Sequence, residues 1–180
     1  LTTDAERWDA RWAAASGEPG RAHPMVEALA AELPAGARVL DVAAGRGRQA
    51  RALAAAGVQV VAVDVSGVGL ARVGRGVETV VADLKEGLPE GLGAFDAVVC
   101  VDYHAPLLWP DLRRVLAPGG HLVVSMATVT NLERHTKPSR RFLATAEDGD
   151  RVLGDLCART CGAEWRDNGR HELWVWGVRA

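Results

Sequence analysis

Hydrophobic positions along the chain follow two textures that change at Arg38. Before it, apolar residues recur at helical spacing. Trp8 and Trp12 lie one turn apart within Asp4 to Ala15, and Met25, Val26, Leu29 and Leu33 share one face within His23 to Leu33. After it, short β-branched runs are separated by helical stretches, the pattern of βαβ units around a buried parallel sheet. Strands are expected at Arg38 to Val42, Gln59 to Val63, Thr79 to Ala82, Ala94 to Val101 and His121 to Met126. Helices are expected between them at Gly47 to Ala56, Gly67 to Arg72 and Leu107 to Leu116.

Beyond the fifth strand the pattern loosens. Pro118, Gly119 and Gly120 predict a tight turn into that strand, because proline fixes φ and glycine supplies left-handed positions. Thr128 to Arg141 is hydrophilic and basic without an apolar period, and reads as a long loop of the kind used for lids and binding segments. Glu147 to Cys161 reads as a helix. Gly162 to Trp165 and Glu172 to Arg179 read as a closing β-hairpin around Asn168 and Gly169. Alternation in the last segment puts Leu173, Val175 and Gly177 on one face, with Trp174, Trp176 and Val178 on the other. Five strands and a hairpin give an α/β protein with a seven-stranded, mostly parallel sheet, helices on both faces and an antiparallel C-terminal pair.

Composition narrows this only a little. A chain of 180 residues, 48% hydrophobic and 24% charged, builds one substantial core and one domain. A formal charge of −2 with pI near 6.2 gives no global reason to expect a nucleic-acid partner. Cys100, Cys157 and Cys161 form an odd set without a CxxC pair, so neither a disulfide framework nor a metal site is expected. The opening stretch to Arg11 is charged, and no apolar run approaches about 18 residues. No leader, span or membrane partner is therefore expected, and the expected location is cytoplasmic.

The chemistry concentrates in "VLDVAAGRGRQA", Val39 to Ala50, where a buried strand meets a glycine turn that opens a helix. Glycine at 45 and 47 allows a sharp turn and close approach of a ligand. The turn alone is ambiguous, since Gly45-x-Gly47-x-x-Ala50 also satisfies the dinucleotide fingerprint of NAD(P) oxidoreductases. Three carboxylates discriminate better. Asp41 ends the first strand four residues before Gly45, where an amino-acid ammonium fits and a pyrophosphate is repelled. Asp64 ends the second strand, where a carboxylate can accept from ribose hydroxyls; Asp83 ends the third, where it can accept from an adenine amino group. Singly, each Asp could equally be a cap or turn residue.

The series "VLDVAAGRGRQA", "VVAVDVS", "VVADL", "FDAVVCVDYH" and "LAPGGHLVVS" resembles, in order, the motifs of class I S-adenosylmethionine-dependent methyltransferases. The tail, with Arg141, Phe142 and Leu143 ending the long loop, resembles more loosely the small bacterial tellurite-resistance and thiopurine methyltransferases. The resemblance implies a Rossmann-like fold and S-adenosylmethionine as cofactor. It assigns Asp41, Ala43, Gly45 and Gly47 to the methionine part, Asp64 and Val65 to the ribose, Asp83 and Leu84 to adenine, and Val101 to the same cleft. Family motifs often carry Gly-Cys-Gly or Ala-Cys-Gly where this chain has Ala43-Ala44-Gly45. On this reading residues 1–36 are leading helices, 37–126 the cofactor core, 127–146 a lid loop, and 147–180 a helix with the closing hairpin.

Methyl transfer from a sulfonium is an in-line displacement that chiefly needs alignment and exclusion of water. Asp102, Tyr103 and His104 follow the fourth strand and by topology face the methyl group. His104 is the expected base or orienting group and Asp102 a positioning carboxylate or helix cap. Tyr103, His135, Arg141 and His171 are the expected acceptor contacts, each with surface charge or packing as its plainer role. The expected partner is a small molecule, with a non-catalytic cofactor-binding protein as a further alternative.

Overall fold

The structure is a computed structural model that describes residues 2–180. Seven strands form one sheet in the order β3-β2-β1-β4-β5-β7-β6. β1 (Arg38–Val42), β2 (Gln59–Asp64), β3 (Val77–Val81), β4 (Phe95–Val101) and β5 (Leu116–Ala127) are parallel. β7 (His171–Val178) runs antiparallel between β5 and β6 (Cys157–Trp165). The chain leaves β1 toward β2 on one side and β4 lies on the other, so the strand order reverses at β1 and opens a crevice at its carboxyl end.

The β-branched runs stand where burial on both faces requires them. One face carries Leu40, Val42, Val61, Val63, Val98, Cys100, Leu122 and Val124 against α5 (Trp109–Arg114) and α6 (Asp148–Leu153). The other carries Val39, Val60, Ala62, Ala97, Val99, Val101 and Val123 against α2 (Pro24–Glu32), α3 (Arg48–Ala55) and α4 (Gly67–Leu70). Leu173 and Val175 join the first cluster and Trp176 the second, as the alternation in the last segment predicts. α1 (Asp4–Ala14) starts at a capping box: Glu6 N–H donates to Thr3 Oγ1, and Thr3 N–H donates to Glu6 Oε2.

Four expectations shift. The third strand runs from Val77 to Val81, so Asp83 lies beyond it and caps a short 3₁₀ turn, Leu84–Glu86. The helix before β5 is only Trp109–Arg114. β5 already begins at Leu116, and the Pro118–Gly120 segment is a bulge within it: five residue steps from Leu116 to His121 face two from Phe95 to Ala97. The helix expected from Glu147 to Cys161 stops at Leu153, because Gly154 takes φ +56° and turns the chain. Cys157 onward is then strand, paired with β7 from Cys157↔Val178 to Trp165↔His171. The Thr128 to Arg141 loop contains two 3₁₀ turns, Val129–Glu133 and Arg140–Phe142.

Gly47 caps α3 at φ +77°, and a Cβ there would lie 2.7 Å from the Val73 Cβ. Gly57, at φ +84°, has open space around it. Gly47→Ala is expected to cost about 2–4 kcal/mol from backbone strain plus overpacking, and Gly57→Ala only about 1 kcal/mol from strain. Urea midpoints of the two variants would check the difference.

Candidate functional site

Where β1 and β2 end, two buried carboxylates take over backbone donors that the sheet ladder no longer serves. Asp64 accepts from Gly45 N–H and Ser66 N–H, each at 2.8 Å, and Asp41 accepts from Ala50 N–H at 2.9 Å in the first turn of α3. Burial pushes the Asp41 carboxyl up to about 7 despite the Ala50 bond; the neighbouring Asp64 adds to the rise and Arg48 opposes it. Burial also raises Asp64, against the pull of the N–H groups around it, and Asp9 adds repulsion. Ala43 takes φ +57° within the turn, an uncommon conformation for a residue with a Cβ. Val65 is half-buried beside Asp64, Leu84 and Val101 are buried, and Asp83 is exposed with Oδ1 accepting from Lys85 N–H at 3.0 Å.

The glycines of the turn face protein as well as crevice. A Cβ on Gly45 would come within 3.0 Å of the Trp12 ring, and one on Gly69 within 2.7 Å of it, so the indole of α1 packs against both glycines. Asp9 of α1 accepts from Ser66 Oγ at 2.5 Å and Val68 N–H at 3.1 Å, and Asp4 pairs with Lys85. α1 thus touches the segments that follow β1, β2 and β3 in turn. The Trp8 and Trp12 spacing reads as a packing stripe in sequence; nothing in it points to Gly45 or Gly69. The indole N–H of Trp12 and the Nε of Arg46 are buried without partners, and the Arg46 guanidinium lies over the Trp12 ring, 5.6 Å from its centroid.

On the β4, β5 and β7 side the edge is lined by paired polar groups. Asp102, at φ +65°, gives one oxygen to Arg48 at 2.7 Å and the other to Arg170 at 2.6 Å. With both oxygens held by guanidinium groups, its geometry suits positioning. Glu172 is buried and accepts from Ser125 Oγ and from His23 Nε2; His23 Nδ1 in turn accepts from Met25 N–H and starts α2. His104 Nε2 meets Asp148 Oδ2 at 3.2 Å, while its Nδ1 is buried without a partner. Asp148 also accepts from Thr145 N–H and Arg151; burial raises its carboxyl, but these donors and His104 bring it below the usual range. Burial pushes the half-buried Tyr103 up to about 12.

The remaining expected acceptor contacts divide. His171 bonds Thr128 Oγ1 at 2.7 Å and is fixed through its backbone by buried Asn131. His135 reaches the Gly169 carbonyl at 2.9 Å, and Arg141 stacks on Phe142; both are exposed. Asp148, His23 and Asn131 are polar residues to which the sequence assigns no role. Their partners lie 44, 149 and 40 residues away, respectively, beyond the reach of local pattern.

Residues 39–120 match the family model described as a methyltransferase domain, and the strand order is that of the class I S-adenosylmethionine-dependent methyltransferase fold. Among curated relatives, a demethylmenaquinone methyltransferase of Clavibacter sepedonicus is 42% identical over 102 residues, covering 50% of this chain and 41% of that protein. A ubiquinone biosynthesis O-methyltransferase of Xanthomonas axonopodis pv. citri is 36% identical over 132 residues, 64% of this chain and 55% of that one. A ribosomal protein L11 methyltransferase of Bordetella parapertussis is 38% identical over 115 residues, 61% and 38%. The chain spans about half the length of the curated relatives it matches. TehB from Haemophilus influenzae superposes with a TM-score of 0.73 at 14% identity, over 88% of this chain and 63% of that one. Magnesium protoporphyrin IX methyltransferase from Synechocystis PCC 6803, solved with bound SAH, gives 0.68 at 18%, over 100% and 89%. At these identities the likeness is one of fold.

The Glu172 pair sets a pH dependence. Burial alone would raise this carboxyl; the bonds from His23 and Ser125 and the charges of His23 and Arg170 lower it below its ordinary 4.5. A depressed acid stabilises the fold above 4.5, and that contribution is lost as pH falls through the lower folded value. Glu172→Gln should therefore flatten the acid limb of the stability curve. His23→Ala, which strands the buried carboxylate, should cost about 3 kcal/mol at neutral pH, with part recovered on adding Glu172→Leu. Urea unfolding across pH would measure both.

Proposed function

We propose that this domain binds S-adenosylmethionine along the carboxyl edge of β1, β2 and β3 and directs its methyl group to a small-molecule acceptor. The observation that carries the reading is Asp41, a carboxyl buried at the mouth of the glycine turn and raised to about 7 by that burial. Such a group lacks a cation. An amino-acid ammonium meets that need, whereas a dinucleotide pyrophosphate would add a second negative charge. The two buried, unpartnered donors on Trp12 and Arg46 make the same turn receptive to the accompanying carboxylate. The residues present thus fit the cofactor. Asp41, Ala43, Gly45 and Gly47 would hold the methionine part, Asp64 and Val65 the ribose, and Asp83 and Leu84 the adenine, with Val101 beside them.

When bound, the cofactor supplies a methyl group on a sulfonium, so the leaving group is already activated. What the chain adds is placement and dryness. Asp102, fixed by Arg48 and Arg170, shapes the end of β4, and Tyr103 and His104 follow it toward the acceptor. The Asp148 carboxylate accepts from His104 Nε2–H, which leaves Nδ1 as the lone-pair nitrogen that can take an acceptor proton. His171, His135 and Arg141 supply polar contacts from the hairpin and the loop. Two relatives carry small-molecule names and one names a ribosomal protein; the two small-molecule names support the small acceptor.

Calorimetry tests the reading directly. An ammonium prefers the ionised Asp41, so S-adenosylmethionine should bind more tightly as pH rises toward 7, by up to about tenfold per unit, and level off above it. Asp41→Asn should bind weakly and without that slope. No binding of S-adenosylmethionine or S-adenosylhomocysteine at high micromolar concentration, or saturable NADH binding in their place, would sink the idea. Release of S-adenosylhomocysteine over a panel of acceptors would then separate turnover from binding alone.

A further inference from the structure

Every exposed large apolar side chain among the described residues lies at the carboxyl edge of the sheet. Val81 ends β3, Leu107 follows β4, and Leu132 and Phe142 lie in the segment after β5. Leu107 is 93% exposed and Phe142 47%, and the two belong to loops that leave adjacent strands at the same end. Scattered exposed leucines need no explanation; their confinement to one edge does.

One segment of the same edge carries an excess of positive charge. Residues 132–142 are all exposed and hold Arg134, Lys137, Arg140 and Arg141 against one carboxylate, Glu133, in a chain whose formal net charge is −2. Among the described residues none of these four cations forms an ion pair. Nor is the segment a loose tail. Val129 N–H donates to Ala144 O at 2.8 Å, Ala144 N–H to Ala127 O at 2.9 Å, and His135 meets the hairpin at Gly169. The backbone is pinned at its base; Arg134 lies over the Trp165 ring and Arg141 over Phe142, while Lys137 and Arg140 are exposed without an ion pair or an aromatic partner among the described residues.

We propose that this edge docks peripherally on an anionic lipid surface, with Lys137 and Arg140 at the phosphates and Leu107 and Phe142 in the acyl boundary. Unpaired basic groups beside exposed aliphatic and aromatic side chains match the two components of interfacial binding, headgroup attraction and shallow apolar insertion. A nucleic acid would satisfy the cations but leave Leu107 and Leu132 without a role, since base recognition uses stacking. The absence of an apolar run long enough to span a bilayer does not bear on this, because docking of this kind needs none. The docking is independent of the methyl-transfer reading. Only its corollary, an amphiphilic acceptor reached from the lipid surface, rests on that reading.

Co-sedimentation of the intact chain with vesicles tests the proposal. Phosphatidylglycerol-rich vesicles should bind it and pure phosphatidylcholine vesicles should not, with binding falling as salt rises. Lys137→Ser with Arg140→Ser should weaken partitioning by about 25-fold, at roughly fivefold per cation. Leu107→Ser with Phe142→Ser should weaken it by roughly tenfold. An unchanged melting temperature would show that both variants fold. The proposal is overturned by no retention on anionic vesicles, by equal retention on neutral ones, by indifference to the apolar substitutions, or by retention on immobilised poly(U) in place of vesicles. Calorimetry with S-adenosylhomocysteine on the same protein is a separate readout, so the docking and the methyl-transfer reading can fail independently.

Discussion

The bond from Gly45 N–H to the Asp64 carboxylate is the constraint on which the rest of the edge depends. At the end of β1 the chain must turn out of a sheet buried on both faces, and the donors in that turn lose their ladder partners. Asp64, at the end of the next strand, receives one of them and passes its other oxygen to Ser66. That fixes the turn against β2 and sets where α4 begins. Asp41 does the same for the first turn of α3. With both helices placed, Gly69 lies against the Gly45 carbonyl, and the Trp12 indole packs on both glycines. The placement of α1 therefore follows in part from two carboxylates, beside its own bonds from Asp9 to Ser66 and Val68.

This arrangement also explains which parts of the molecule were legible in the sequence. β1, β2 and β4 declare themselves because strands buried on both faces must be nearly continuous in Val, Leu and Ala. β6 does not, since its Cys157–Trp165 run is an exposed edge with Arg159 and Thr160 in it, and Leu153 with Leu156 mimics a helical stripe until Gly154 turns the chain. Asp41, Asp64 and Asp83 stood out as acids after strands, and the structure separates them: two are buried backbone acceptors, the third an exposed cap. The glycines were legible as a turn, but for an incomplete reason. Gly45 and Gly47 are required by Trp12 and Val73 as much as by any ligand. Contacts such as His23 with Glu172 join segments 149 residues apart and leave no local trace.

Charged groups gather along one edge, and of the series Asp41, Arg48, Asp102, Arg170, Glu172 and His23, running from β1 across to β7, only Asp41 and Glu172 are buried. Arg48, Asp102 and Arg170 each have opposite charge on both sides, and buried Glu172 has Arg170 on one side and the His23 and Ser125 hydrogen bonds on the other, the kind of pairing under which a buried ion is tolerated. The end members differ. His23 closes its end by capping α2. Asp41 has only the Ala50 N–H and the distant influence of Arg48, and its carboxyl rises accordingly. An unbalanced group at the end of an otherwise balanced series is a place where a ligand can contribute what the protein does not.

The two halves of the edge then divide the work by polarity. Toward β1 and β2 the buried groups are carboxylates and backbone donors, suited to a zwitterionic and hydroxylated ligand. Toward β4, β5 and β7 the polar groups of the sheet edge pair with one another, and around them Leu107, Leu132 and Phe142 are exposed beside cations that form no ion pair among the described residues. An acceptor with an apolar body would cover those side chains and in doing so exclude water from the reacting centre, which an in-line methyl displacement requires. On the proposed methyl-transfer reading, the outward apolar side chains thus favour an acceptor whose reacting atom is a small part of a largely apolar molecule.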